Sequence, residues 1–163
     1  EDPLLAGRCA AADTKGVQKH KGCGTTIKHF ACNSQETGRH VVNAVVSQRA
    51  LREIYLKAFE IIIKTADPWV LMSSYNVING HRASENHDLL EEILRGEWGY
   101  QGIVVSDWWT RGEHYKELLA GNDVKMGAGF PERVKQAMEL GAVTRADLEH
   151  CAKRVLELIL KVD

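Results

Sequence analysis

Three short apolar segments of this chain each run directly into a cluster of polar residues, and helix-forming sequence separates each segment from the next. The clusters are Lys28-His29-Phe30, Ser73-Ser74-Tyr75-Asn76 and Ser106-Asp107-Trp108. Strands separated by helices need parallel crossover connections, because a short hairpin joins only antiparallel strands. The pattern therefore predicts an α/β fold with helices outside a parallel sheet. The predicted strands, about four in number, are 25–30, 69–73, 102–106 and 123–126.

Amphipathic spacing and capping residues predict the helices between these strands. Apolar residues of the segment 47–66 recur at intervals of three and four, which places them on one face of an α-helix. Asn86 can cap a helix that starts at Asp88, and Thr144 with Asp147 forms a capping box for a last helix. The predicted helices are 3–20, 47–66, 88–95, 113–120, 131–141 and 144–161.

The strand count predicts half of a barrel. A closed (β/α)8 TIM-type barrel has eight strands and usually roughly 200 residues or more, whereas this sequence has 163 residues. Half a barrel has two unpaired strand edges, which need cover. A second copy of the chain, a further partner segment or an open doubly wound sheet would each provide it. We expect residues 1–163 to form a single partial (β/α)-barrel domain, with a homo-oligomer closing the half-barrel.

The composition is that of a soluble globular protein. Apolar residues make up 44% of the chain and charged residues 26%, and the formal net charge is -1. That charge does not provide the positive field that binds nucleic acids. No apolar run approaches the roughly 18 to 20 residues that cross a bilayer. We expect a soluble chain without a nucleic-acid or membrane partner, and the sequence does not decide between a cytoplasmic and a secreted location.

Cysteine and histidine spacing indicates neither a metal site nor a redox site. The cysteines lack C-x-x-C spacing, so we expect free, partly buried thiols. His81, His87 and His114 lack an arrangement such as H-E-x-x-H. The sequence therefore predicts no metal ion and no cofactor. The cysteines are Cys9, Cys23, Cys32 and Cys151.

The three polar clusters should meet at one mouth, because functional groups of parallel α/β folds collect at the carboxyl ends of strands. Sugars offer hydroxyls in the ring plane and C–H faces above and below it, so their sites combine hydrogen-bonding groups with an aromatic platform. A carboxylate placed directly after an apolar strand, as at Asp107, can attack an anomeric carbon. Structural alternatives are a helix N-cap for Asp107, an exposed charge beside a satisfied histidine for Lys28-His29, and a turn for Asn79-Gly80.

Five ordered motifs extend this pattern over nearly the whole chain. They are Ile27-Lys28-His29-Phe30 with Asn33, Gln35, Glu36 and Arg39; Leu51-Arg52-Glu53-Ile54-Tyr55-Leu56 with Phe59; Met72-Ser73-Ser74-Tyr75-Asn76 with Asn79-Gly80; Leu94-Arg95-Gly96-Glu97-Trp98-Gly99-Tyr100-Gln101-Gly102; and Ser106-Asp107-Trp108. Together they resemble glycoside hydrolase family 3, and the best match within the family is its β-glucosidase branch.

The resemblance implies a role for each matching position. Asp107 would be the catalytic nucleophile that forms a covalent glycosyl-enzyme. Lys28 and His29 would hold sugar hydroxyls, and Tyr75 would lie beside the nucleophile. Trp108 would stack on the sugar or on its leaving group. Arg39 would orient loop residues or touch the rim of the sugar.

The resemblance leaves the general acid/base unknown. A retaining mechanism needs a second carboxyl group about 5 to 5.5 Å from the nucleophile. In the family this group comes from a later domain, or from an Asp-His pair that the loop 31–40 lacks. Glu36, Glu85 and Glu113 are candidates if copies of the chain pair their half-barrels. Glu97, between a helix and a strand, is expected to be structural.

We therefore expect a retaining exo-β-glucosidase that hydrolyses terminal non-reducing β-D-glucosyl residues by double displacement. Its partner would be a β-glucoside or an oligosaccharide. Two alternatives stay open. One is a β-xylosidase-type specificity, and the other is a barrel fragment with little or no activity that binds sugar.

Overall fold

Helices alternate with parallel strands in the computed structural model, which describes residues 2–127 and 129–163. The strands are β1 (Thr26–Phe30), β2 (Asn43–Ala44), β3 (Val70–Ser73), β4 (Val77–Ile78), β5 (His81–Arg82) and β6 (Ile103–Ser106). The α-helices are α1 (Pro3–Val17), α2 (Gln48–Ala50), α3 (Lys57–Ala66), α4 (His114–Leu119), α5 (Pro131–Glu139) and α6 (Arg145–Val162). The segments Leu51–Tyr55 and Asp88–Glu97 are π-helical, and Ala83–Glu85 is a 3₁₀-helix.

The main sheet has the parallel order β1-β3-β6, which confirms three of the predicted strands. β3 and β6 end in register at Ser73 and Ser106, and Phe30 at the end of β1 also lies opposite Ser73. The register of β1 shifts between Ile27 and Phe30. All three carboxyl ends therefore meet at one edge of the sheet.

The predicted fourth strand is only a single parallel bridge, between Val105 and Val124. The carbonyl oxygen of Val104 accepts hydrogen bonds from the amides of Asp123 (2.8 Å) and Val124 (3.1 Å). The Val104 amide donates to the Asp123 carboxylate (2.8 Å). The Asp123 carboxylate thus accepts the hydrogen bond that a backbone carbonyl oxygen would accept in a longer strand. The pairing with β6 is therefore limited to this bridge.

A second, smaller sheet was not predicted. β2 pairs with β4 in parallel, and β4 pairs with β5 in antiparallel. Asn79 (φ 48°) and Gly80 (φ 91°) form the two-residue connection of this hairpin, where two positive φ values suit the twist of the strands. The Asn79 side chain also accepts from the Val46 amide and donates to the Val46 carbonyl oxygen. The turn interpretation of Asn79-Gly80 is confirmed.

The single helix predicted over 47–66 is interrupted by a π-helical turn. The Leu56 amide donates to the carbonyl oxygen of Leu51 (2.8 Å), five residues earlier. Both leucine side chains are buried, so the wider turn brings two residues at a spacing of five into the core. The helix predicted over 88–95 is π-helical as well and ends at Glu97.

The core lies between the main sheet and the helices packed on it. The ring of Phe30 contacts Phe59 at a centroid distance of 5.0 Å and Trp98 at 6.0 Å, both edge-on. α1 packs closely on α3, because a Cβ atom on Gly7 would lie only 2.9 Å from Cβ of Ile61. A glycine in the predicted first helix therefore marks a close helix contact.

The cysteines are free thiols, as predicted, with Cys32 and Cys151 buried and Cys9 and Cys23 exposed. Burial raises the pKa of the Cys32 thiol to about 11. Among the described residues, no helix combines the length and the apolar character that crossing a membrane requires.

Candidate active site

Asp107 follows β6 and is buried, with 6% of its surface exposed. The amide of Trp108 donates to Asp107 Oδ1 at 2.8 Å. On the other side, Ser106 Oγ donates to the Asp107 carbonyl oxygen (2.9 Å) and accepts from the amide of Met126 (3.0 Å). The Trp108 amide therefore binds one carboxylate oxygen and Ser106 binds the backbone of Asp107, while the second carboxylate oxygen faces the end of β1.

His29, in β1, supplies the group nearest to that second oxygen. Its Nε2 lies 3.4 Å from Asp107 Oδ2, with the end of β3 between the two strands. Burial lowers the pKa of His29 because it disfavours the charged imidazolium, and the Asp107 carboxylate only partly opposes this shift. The imidazole is accordingly neutral at neutral pH.

Tyr75, which follows β3, completes a triangle of side chains with Asp107 and His29. Its hydroxyl accepts from the amide of Trp109 (3.4 Å), and its pKa is influenced by the nearby Asp107 carboxylate. Burial raises the pKa of Tyr75, the hydrogen bond from the Trp109 amide partly opposes this shift, and the Asp107 carboxylate adds to it. The Tyr75 hydroxyl therefore stays neutral beside the carboxylate.

Two arginines hold the far side of Tyr75. The guanidinium of Arg39 lies 4.9 Å from the centroid of the tyrosine ring, and the ring of His40 lies 4.2 Å from it. Arg82 Nη1 donates to the carbonyl oxygens of Tyr75 (2.9 Å) and His40 (3.2 Å). Arg82 was not predicted, because its partners lie 7 and 42 residues away and no motif marks it.

The remaining candidates lie at or beyond the rim. Trp108 is 50% exposed and Trp109 is 70% exposed, so both indoles reach solvent beside Asp107. Lys28 is exposed and lines a separate cleft of about 430 Å³ between α1, β1 and α3. The structure brings Asp107, His29, Tyr75 and Arg39 together, and it places Lys28 on that cleft.

The glutamates considered as acids differ in position. Glu36 binds Arg39 at 2.6 Å and so borders the site. Glu85 accepts from the amide of Glu113 (2.6 Å), and Glu113 pairs with Arg133. Of these three glutamates, the one paired with a residue of the site is Glu36.

Two further acids, Asp123 and Glu97, have arginine partners. The carboxylate of Asp123 is fully buried and binds Arg95 (2.8 Å) and Arg154 (3.0 Å). Glu97 forms a bidentate pair with Arg52 on the surface. Across residues 2–127 and 129–163, no group of three or more His, Cys, Asp or Glu side chains is placed to hold a metal ion.

Curated relatives align with nearly the whole chain. Beta-glucosidase A of Butyrivibrio fibrisolvens is 54% identical over 149 residues, which cover 91% of this chain and 18% of that protein. The exo-alpha-(1->6)-L-arabinopyranosidase of Bifidobacterium longum is 46% identical over 162 residues, which cover 99% of this chain and 21% of that protein. The chain thus spans roughly a fifth of the length of these relatives.

Solved structures confirm the fold class. Beta-glucosidase 3B of Thermotoga neapolitana in complex with glucose matches with a TM-score of 0.95 and 42% identity, covering 99% of this chain and 24% of that one. The family 3 beta-glucosidase of Bifidobacterium adolescentis matches with a TM-score of 0.94 and 46% identity over the same shares. The fold is therefore part of a (β/α)8 TIM-type barrel. The model of the glycosyl hydrolase family 3 N terminal domain matches residues 1–158, and this chain belongs to that family.

Proposed function

We propose that this chain carries the nucleophile of a retaining glycoside hydrolase that cleaves terminal non-reducing β-D-glucosyl units. The observation that carries the proposal is the buried carboxylate of Asp107, which lies at the carboxyl edge of the sheet in contact with His29 and Tyr75. Relatives and structural neighbours named beta-glucosidase support this choice of sugar.

In the proposed mechanism, Asp107 attacks the anomeric carbon and forms a covalent glycosyl-enzyme, which water then hydrolyses. The Trp108 amide orients the carboxylate, and the Tyr75 hydroxyl would contribute to this from beside it. The neutral His29 and the Arg39 guanidinium would bind sugar hydroxyls, and the exposed indole of Trp108 would stack on a sugar face. Lys28 would also bind a sugar hydroxyl. It lies in β1, the strand that borders its cleft.

The first step also needs a general acid that protonates the leaving oxygen, at about 5 to 5.5 Å from the nucleophile carboxylate. No residue is assigned to that role here. Glu36 is the first of the proposed glutamates to test, because it is bound to Arg39 beside Tyr75. Aryl glucosides with acidic leaving groups need little protonation and are the substrates of choice for this chain.

The sugar preference has one specific competitor. A relative at 46% identity is named an exo-alpha-(1->6)-L-arabinopyranosidase. Initial rates on the 4-nitrophenyl glycosides of β-D-glucose, β-D-xylose and α-L-arabinopyranose would rank the three specificities. If the xyloside or the arabinopyranoside reacts faster than the glucoside, the specificity for that sugar replaces the glucosidase proposal.

The nucleophile assignment is tested by trapping. A 2-deoxy-2-fluoro-glucoside with a good leaving group should label the protein, expressed as its gene encodes it, with one sugar per chain. Asp107→Ala should abolish the label, because the attacking oxygen is gone, while circular dichroism stays unchanged. Intact mass and peptide mapping measure the label.

Glu97→Gln is the control, because it removes a surface carboxylate outside the site and should label like the wild type. Labelling of Asp107→Ala at the wild-type rate would contradict the nucleophile assignment. Sugar binding by the wild type in calorimetry without any label would favour the alternative of a binding fragment.

A further inference from the structure

The loop between Asp107 and α4 forms part of the geometry around the carboxylate. Its first amide, that of Trp108, donates to Asp107 Oδ1, and its second, that of Trp109, donates to the Tyr75 hydroxyl. The same two residues present the exposed indoles. Any shift of the loop backbone therefore moves the hydrogen bonds to Asp107 and Tyr75 together with the aromatic surface.

An ion pair lies in the protein interior on the other side of this loop. Lys125 Nζ contacts Glu117 Oε2 at 2.6 Å, and the two side chains are 2% and 0% exposed. Glu117 belongs to α4, and Lys125 follows the single bridge at Val124. Burying two charged groups costs desolvation free energy, which the pair offsets only if further hydrogen bonds satisfy both groups.

Those further hydrogen bonds lead to the loop. Lys125 Nζ also donates to the carbonyl oxygen of Gly112 (3.1 Å). Ser84 Oγ donates to Glu117 Oε1 (2.7 Å) and lies 3.1 Å from Thr110 Oγ1, which accepts from the Gly112 amide (3.4 Å). Both charges of the pair are therefore connected to the segment Thr110–Gly112.

The backbone packs closely at both ends of the loop. A Cβ atom on Gly112 would clash with Glu117 Oε1, and one on Gly127 would clash with the carbonyl oxygen of Trp108. The loop is thus in contact with the buried pair at its far end and with the backbone of Gly127 at its near end. Glycines allow both approaches.

We propose that Glu117 and Lys125, acting through Ser84 and Thr110, are positioning residues that fix the loop Trp108–Gly112 and thereby the Asp107 carboxylate. None of them touches the sugar. They set the orientation of the nucleophile and the height of the Trp108 indole above it. The inference rests on the proposed function only in its catalytic consequence, because the holding of the loop is a property of the fold.

The test combines two readouts on the protein as its gene encodes it. In Glu117→Gln and in Thr110→Val, amide hydrogen exchange of residues 108–113 should rise by about tenfold or more while that of β6 stays slow. The saturating rate of labelling by the 2-deoxy-2-fluoro-glucoside should fall by about 10- to 100-fold, since small displacements of reacting groups are that costly. The concentration for half-maximal labelling should change little.

Thr110→Ser is the conservative rescue, because it keeps the hydroxyl that accepts from the Gly112 amide. It should match the wild type in both readouts, as should Glu97→Gln. If Glu117→Gln does not fold, the comparison of Thr110→Val with Thr110→Ser decides alone. Faster exchange with a wild-type labelling rate, or no change in either readout, overturns the inference.

A failure of the proposed function gives a different result. In that case the wild type takes no label. Hydrogen exchange is then the only readout that tests whether the positioning residues hold the loop. Faster loop exchange in Thr110→Val, with wild-type exchange in Thr110→Ser, would then support the holding of the loop. Equal exchange in both variants would overturn it.

Discussion

The carboxylate of Asp107 has one backbone hydrogen-bond donor and a tyrosine hydroxyl as a neighbour. The Trp108 amide donates to Oδ1, and the Tyr75 hydroxyl lies close enough for the carboxylate to raise its pKa. The Tyr75 ring itself is held by Arg39 and His40. The hydroxyl can therefore be removed without disturbing the contacts that place the ring.

Tyr75→Phe should keep the fold and slow the labelling of Asp107. The variant loses the hydroxyl beside the carboxylate, and a hydrogen bond to a charged group is typically worth about 1.5 to 3 kcal/mol. If that energy orients the nucleophile, the saturating rate should fall by about 10- to 100-fold. Inactivation kinetics with the 2-deoxy-2-fluoro-glucoside measure it.

Tyr115→Phe is the matched control. This tyrosine lies on α4, where its ring contacts Lys116, and its hydroxyl should not affect the labelling rate. An unchanged rate in Tyr75→Phe would mean that the hydroxyl does not help to orient Asp107. The Trp108 amide would then be the main group that orients the carboxylate.

The core of the site could be predicted because strand ends are readable in the sequence. His29 lies in β1, and Asp107 and Tyr75 follow β6 and β3. These strands were recognised from their apolar runs, and parallel strands bring such ends together. Lys28 could not be placed, since the register of β1 shifts between Ile27 and Phe30 and this interrupts the alternation of faces.

Buried partners were harder to predict than exposed ones. Glu117 and Lys125 have no periodic pattern in common, and Ser84 joins them from 33 residues before Glu117. A sequence lists such residues as ordinary charges, which are usually exposed. Only the fold reveals that these charges are in the interior and next to the loop of the site.

At the scale of elements, the order of strands and helices followed from periodicity, whereas their internal geometry did not. Apolar spacing predicted a helical segment at 47–66 and a capping residue predicted one at 88–95, and both exist. Their π-helical turns depend on which side chains the core admits, as for Leu51 and Leu56, and this is decided by packing with distant segments. The pairing at Val124 is short for a similar reason, because the Asp123 side chain accepts the hydrogen bond of the Val104 amide in place of a backbone carbonyl oxygen.

The junction between α4 and α5 contains a histidine that responds to pH. His114 Nδ1 accepts from the amide of Phe130 (3.2 Å), which requires the neutral imidazole at that nitrogen. Burial lowers the pKa of His114, the nearby Lys125 lowers it further, and Glu117 partly opposes them. As pH falls, the unfolded chain therefore takes up a proton at about 6.5, before the folded chain does.

We expect the stability that His114 contributes to be fully present above about pH 6.5 and to be lost as pH falls toward the lower folded pKa. His114→Gln removes this titration, so its free energy of unfolding should depend less on pH across that window. Urea unfolding at several pH values between about 7.5 and 5 measures the difference. The pKa of His29 is lowered too, so the variant should keep part of the slope.

His150→Gln is the control for this experiment. His150 is exposed on α6, and its replacement should leave the slope unchanged. An identical pH dependence in His114→Gln and the wild type would mean that the bond to Phe130 does not set the acid sensitivity of the α4 and α5 junction.

At the scale of the whole molecule, two partly apolar surfaces are open to solvent. One is the cleft along β1, lined by α1 and α3 and with a volume of about 430 Å³. The other is an apolar ridge on α6, where Leu156 and Leu160 are 59% and 76% exposed. Strand edges and apolar ridges of this kind favour association, because pairing and burial both lower the free energy.

We therefore expect the chain of residues 1–163, studied alone, to self-associate through these surfaces. Light scattering coupled to size-exclusion chromatography should give a mass at least twice the 18.2 kDa of one chain at micromolar concentrations. Leu160→Asp should shift the equilibrium toward monomer, since it places a charge on the ridge. Leu140→Asp is the matched control, because Leu140 is 85% exposed at the end of α5 and away from α6. A stable monomer at all concentrations would exclude closure of the barrel by a second copy, and the edge of β1 would then need a different partner.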